Sequence, residues 1–178
     1  MAKRDKAAMQ GDEANILTNT PAGLSFQGVR VERRKIEIAG DTFEVFALKD
    51  AADLLDLPEF GRRFLDDGIA PYGFQLWPGA VMLAAWIAAG KAGPPCEALE
   101  IGCGLALLSI VATRHGWTTW ATDNDEHALQ FAALNAQLNN VSLHRLEALD
   151  WNFPPPGTQF PCILGSDVLY DADNFNPI

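Results

Sequence analysis

Apolar positions are scattered and aperiodic over residues 1 to 20, then fall into patterns that predict regular elements. From Lys35 to Phe46 apolar and polar residues alternate. A two-residue Gly40-Asp41 turn would set Ile38 opposite Phe43 and Ile36 opposite Val45, with Glu37 facing Glu44 on the other side. Between Ala51 and Asp67, the spacing of Leu54, Leu55, Leu57, Phe60 and Phe64 predicts short helical pieces, broken at Pro58 and Gly61, that cap the domain. Pro78 opens a helix that runs to about Ala89 and stops at Gly90, and its nearly uniform apolar sequence predicts burial. Ala98 to Ile101 reads as a buried parallel strand entering a glycine turn, followed by a helix from about Ala106 to His115 and a strand from Thr118 to Thr122. A helix from about Glu126 to Asn139 and strands at Ser142 to Ala148 and Cys162 to Gly165 complete the series. This βαβα order predicts an α/β fold with a doubly wound, mostly parallel sheet.

Length changes the picture little: 178 residues suffice for one domain. The expected organisation is a structureless tail over 1 to 20, a hairpin and helical cap over 21 to 75, and the parallel domain over 76 to 178. Apolar residues make up 48% and charged residues 20%, an ordinary globular balance. The net charge of −10 is unevenly placed: residues 1 to 35 hold seven Lys/Arg against four Asp/Glu, the remainder six against nineteen. An acidic body repels a phosphate backbone, which argues against a nucleic-acid partner and favours a cationic one. Cys96, Cys103 and Cys162 form no CxxC pair, and reduced thiols in the cytoplasm are expected. The longest apolar run, Ala80 to Ala89, is about half a membrane span. No export signal or anchor is expected.

The candidate chemistry centres on LEIGCGLALLS, Leu99 to Ser109, where Gly102 and Gly104 stand between strand and helix. Glycines there permit a tight turn and a close approach to a ligand. A dinucleotide fingerprint would place Gly or Ala three residues after Gly104, but Leu107 stands there, which argues against NAD. Asp123 ends the next strand, where a carboxylate can accept from two ribose hydroxyls. Together these predict a Rossmann-like nucleoside site. His115, His127 and His144 lack metal-ligand spacing, and no metal is expected.

Combined with Gln75-Leu76-Trp77-Pro78, ATDNDEHAL, Leu149-Asp150-Trp151 and Gly165-Ser166-Asp167-Val168-Leu169-Tyr170, the chain resembles the class I, seven-strand protein lysine methyltransferases. The resemblance covers about residues 70 to 178, and its most diagnostic feature is the Asp-x-x-Tyr of Asp167 and Tyr170. It implies S-adenosylmethionine as cofactor. Trp77 would line the methionyl end, Gly102, Cys103 and Gly104 the turn beneath it, Asp123 with Asn124 the ribose, and Asp150 with Trp151 the adenine. Ser166 would contact the cofactor by its backbone. Such a ligand has no pyrophosphate, so Glu100 at the strand end would face its ammonium group. Asp167 would orient the acceptor amine and Tyr170 would wall the methyl channel.

The implied acceptor is a lysine-containing basic protein segment or a small amine. A small-molecule N- or O-methyltransferase and a non-catalytic binding module on the same fold are the alternative readings. The family fold has seven strands in the order 3-2-1-4-5-7-6, and only four are legible here. The parallel domain is therefore expected to be C-terminally incomplete, with an open fourth strand that invites self-association.

Overall fold

The computed structural model describes residues 16–68, 70–151, 153–154 and 159–170. The expected tail lies outside these residues up to position 15, as does part of the proline-rich crossover before the last strand.

The N-terminal part is a four-stranded antiparallel meander, β1 (Thr18–Thr20), β2 (Gly23–Phe26), β3 (Val29–Ile38) and β4 (Asp41–Leu48), in that spatial order. It is longer than the expected hairpin and takes in Thr18–Thr20, which the sequence left structureless. The β3-β4 register also differs. Ala39 and Gly40 form the loop, both with positive φ (52° and 90°), as a twist-matched two-residue hairpin requires. Ile38 therefore faces Asp41 and Ile36 faces Phe43. The shift keeps Phe43, Val45 and Ala47 facing the core and replaces the unfavourable Glu37-Glu44 pairing with Lys35 opposite Glu44 and Glu37 opposite Thr42. Thr42 Oγ1 donates to the Glu37 carboxylate at 2.8 Å.

A 3₁₀ segment, Ala51–Asp56, leads into α1 (Pro58–Asp67). Pro58 opens this helix instead of breaking it, and the helix passes straight through Gly61. A Cβ at Gly61 would lie 2.6 Å from the Leu55 carbonyl oxygen, so the glycine serves close packing of the two pieces. The next helix, α2 (Pro78–Ala88), buries Ala84 and Ile87 but leaves Met82 73% and Trp86 52% exposed. The predicted all-round burial is thus confined to one face.

The parallel half comprises β5 (Glu97–Ile101), α3 (Leu107–Arg114), β6 (Thr118–Asp123), α4 (Glu126–Leu138), β7 (Arg145–Ala148) and β8 (Cys162–Gly165). Its sheet runs β7-β6-β5-β8 with every pairing parallel. Strand order reverses between β5 and β8, and the crevice at the carboxyl ends of such neighbours is where open α/β sheets bind ligands. Among the described residues β8 pairs only with β5, and Ile163 on it is exposed.

The meander packs on α4 around Phe26, Phe74 and Phe131, whose rings meet at centroid distances of 5.2 to 5.7 Å. Burying these aromatics ties the two sheets into one apolar core.

Candidate active site

A cavity of about 320 Å³ opens at the carboxyl ends of β5, β6, β7 and β8. Its walls include Trp77, Gly102, Cys103, Gly104, Asp123, Asn124, Asp150, Trp151, Ser166, Asp167 and Tyr170. Of the residues singled out in the sequence, Glu100 alone stands apart from this wall.

The floor is the turn after β5. Gly102 and Gly104 have φ of 61° and 49°, and a Cβ on Gly102 would meet Val168 at 2.8 Å and Trp151 at 3.3 Å. A side chain there would fill the space between the two walls. Among the described residues, three hydrogen bonds from outside the turn anchor it. Cys103 N donates to Thr122 O at 2.8 Å, Gly104 N donates to Asp123 Oδ2 at 2.8 Å, and Leu105 O accepts from Asn135 Nδ2 at 3.1 Å. The other oxygen of Asp123 accepts from Asp125 N at 3.0 Å. Each carboxylate oxygen has a second lone pair for a ligand hydroxyl. Burial pushes the Asp123 carboxyl above its usual range, against the pull of those backbone amides. Burial, with Asp123 and Glu100 nearby, also pushes the Cys103 thiol well up, so it lines the wall as a neutral group.

Glu100 corrects the expectation drawn for it. Strand alternation turns its side chain with Ala98 toward α3, where its carboxyl accepts from both the backbone N and Oγ of Ser109. Ser109 is the third residue of α3, so the carboxyl satisfies one of the amides left free at the start of that helix. It is 2% exposed, and burial raises its pKa from 4.5 to about 8. The folded state therefore keeps a proton that the unfolded chain releases, and stability falls as pH rises from about 4.5 to about 8. Glu100→Gln, which retains an acceptor for Ser109, is expected to flatten that slope and stabilise the chain on the order of a few kcal/mol at pH 8. Thermal midpoints of both forms measured from pH 5 to 8.5 check it; parallel curves would refute it.

At the other end, Asp167 follows β8 in the left-handed region, φ 56°, a conformation uncommon for a non-glycine residue. Its carboxylate lies over the first turn of α2: a Cβ on Gly79 would stand 2.3 Å from Oδ2. Beside it the rings of Tyr72 and Tyr170 meet edge to face at 5.1 Å, and those of Tyr72 and Trp77 at 5.6 Å. Trp77 Nε1 donates to Tyr72 O at 2.8 Å. A second, open hollow of about 470 Å³ shares Tyr72, Trp77, Asp167, Val168 and Tyr170 with the first and leads outward. The site thus has a polar end near Asp123 and an aromatic gate holding one carboxylate. Such a gate suits a cation or an incipient one.

Sequence reasoning missed Tyr72 and Asp125. Tyr72 lies five residues before Trp77, and its aromatic neighbours were its only signal. Asp125 lines the cavity while capping α4 through the backbone N of His127 and Ala128, and it pairs with Arg63 of α1 at 3.0 Å. The Trp151 ring lines the cavity, while its Nε1 is buried with no hydrogen-bond partner among the described residues. Among those residues no group of His, Cys, Asp and Glu has the arrangement of a metal site.

A family model described as lysine methyltransferase matches residues 61–178. The histone-arginine methyltransferase METTL23 of Mus musculus is 31% identical over 118 residues, covering 60% of this chain and 45% of that protein. The protein-lysine methyltransferase METTL21E of Mus musculus is 31% identical over 118 residues, covering 60% and 48%. The chain therefore spans about half the length of these relatives. Among solved structures, the T. thermophilus 16S rRNA N2 G1207 methyltransferase, in complex with AdoMet and guanosine, superposes with a TM-score of 0.53 at 10% identity. That likeness covers 84% of this chain and 39% of that one, and it speaks for the fold alone.

Proposed function

The chain belongs to the lysine methyltransferase family, and from that premise we propose that its cavity binds S-adenosylmethionine and that its aromatic gate presents a protein lysine to the methyl group. The observation that carries the reading is the pairing, in one crevice, of a ribose-type carboxylate at Asp123 with a carboxylate and three rings at the opposite end. The residues fit the cofactor. The glycine turn lets a ligand lie against backbone, Asp123 keeps free lone pairs for a ribose diol, and the Trp151 ring lines the wall where an adenine would lie.

When bound, the cofactor supplies an electrophilic methyl on a sulfonium. The protein has to supply alignment and exclusion of water. A lysine amine with pKa near 10.4 is mostly protonated at neutral pH, so the gate has to admit the cation, and the amine has to release its proton to solvent before transfer, helped by desolvation within the gate. The Asp167 carboxylate would accept a hydrogen bond from the amine and stabilise the charge that returns as the new bond forms. The rings of Tyr72, Trp77 and Tyr170 would hold the same group by cation-π attraction and narrow its approach. The acidic body outside residues 1 to 35 would steer a basic segment toward the gate. The three free thiols agree with a reducing compartment such as the cytoplasm.

Incubating the chain with labelled S-adenosylmethionine and a panel of basic peptides tests the reading. Label on lysine, located by mass spectrometry, is the expected result. Label on arginine would support the second reading, which the arginine activity named for METTL23 favours. Label confined to small amines would refute both.

A further inference from the structure

Asn135 and Asn139 lie one helical turn apart on the face of α4 that meets β4, both buried. Among the described residues β4 is an edge strand, and its outward backbone groups at residues 44 and 46 need partners. The two asparagines provide them. Asn139 Oδ1 accepts from Glu44 N at 2.9 Å and its Nδ2 donates to Glu44 O at 2.6 Å. Asn135 Oδ1 accepts from Phe46 N at 2.7 Å and its Nδ2 donates to Phe46 O at 3.2 Å. The match is geometric. Four residues of helix rise about 6 Å, and two residues of strand rise about 6.6 Å, so a pair of carboxamides replaces a neighbouring strand.

The two residues then diverge. The second amide bond of Asn139 stays within its helix, on Asn135 O at 2.7 Å. That of Asn135 reaches Leu105 O at 3.1 Å, in the turn that floors the cavity. Of the three anchors on that turn, the other two come from β6, at Thr122 and Asp123. We infer that Asn135 is a positioning residue for cofactor binding, coupling the N-terminal meander to the glycine turn through a single buried carboxamide. This rests on the cofactor reading above. No other side chain is bonded to both Phe46 and Leu105 among the described residues.

The paired asparagines give the test its control, because Asn139→Ser removes an equivalent clamp from β4 without touching the turn. Both Asn135→Ser and Asn139→Ser are expected to lower the thermal midpoint. At a temperature where near-ultraviolet circular dichroism shows each variant folded, S-adenosylhomocysteine should bind Asn139→Ser within about twofold of the unaltered chain. Its dissociation constant for Asn135→Ser should rise about tenfold, as expected for one lost buried hydrogen bond acting on the site. Equal affinities for the two variants would overturn the inference. Should Asn135→Ser fail to fold, hydrogen exchange on the unaltered chain decides. Coupling is reciprocal, so the ligand should slow exchange of the Phe46 amide by a larger factor than that of Glu44. Equal slowing would overturn the inference. Absence of S-adenosylhomocysteine binding by the unaltered chain would instead remove the cofactor reading, and the coupling with it.

Discussion

Asp123→Ala is expected to weaken S-adenosylhomocysteine binding about a hundredfold or more and to lower stability as well. Two effects combine. The carboxylate accepts from Gly104 N and Asp125 N, so its removal leaves two part-buried amides without their partner and loosens the turn and the start of α4 together. An unsatisfied amide costs up to about 1 to 3 kcal/mol where it is fully buried and less where water reaches it, and each 1.4 kcal/mol felt at the site is about a factor of ten in affinity. The acceptors facing a ribose diol disappear in the same step. Asp123→Asn separates the contributions. It keeps one acceptor oxygen and replaces the other with a donor, so it should fall between the two forms. Isothermal titration of all three measures this directly, and an alanine variant that binds as the unaltered chain does would place the ligand elsewhere.

The second large effect concerns transfer rather than binding. Asp167→Asn should slow methylation of a lysine peptide about a hundredfold, within the range for removing a charge aimed at the reacting group, while cofactor affinity stays within about threefold. Asparagine tolerates the left-handed backbone at φ 56°, so this variant changes the charge and leaves the turn intact. Gly79→Ala gives an independent route to the same end. The new Cβ would lie 2.3 Å from Asp167 Oδ2, and the freely hinged carboxylate is what would move. Displacing it by packing should imitate removing its charge. Single-turnover rates alongside cofactor titrations check both variants. If transfer survives in both, Asp167 is only a strand terminator.

The parallel half of the fold was legible because buried strands and glycine turns leave strong local marks. The order β7-β6-β5-β8 is the 3-2-1-4 portion of the expected sheet, and the turn from Gly102 to Gly104 lies where the spacing put it. The meander was harder. Its hairpin register turned on whether Gly40 was the first or second loop residue, and Ala39 accepts a positive φ that its identity does not advertise. The opposed Glu37 and Glu44 were the clue, since moving the pairing by two residues keeps every side chain on its face and removes that conflict.

Long-range partners explain the remaining differences. Nothing local tells Glu100 that Ser109 awaits it beneath the turn, so it read as a ligand contact when it is a helix cap. Asn135 and Asn139 fall in the last part of the predicted Glu126 to Asn139 helix with nothing local to mark a partner, yet they bond a strand 89 and 95 residues away. For α2, periodicity reported an apolar surface but not which part of it would find a neighbour, and Met82 and Trp86 did not.

Titration of the unaltered chain with S-adenosylhomocysteine, alone and with excess NAD, tests the central claim most directly. Single-site binding that NAD leaves unchanged is predicted, because Leu107 stands where a dinucleotide-binding turn has Gly or Ala. Displacement by NAD, or no heat of binding from a folded sample, would contradict the assignment of this cavity to S-adenosylmethionine.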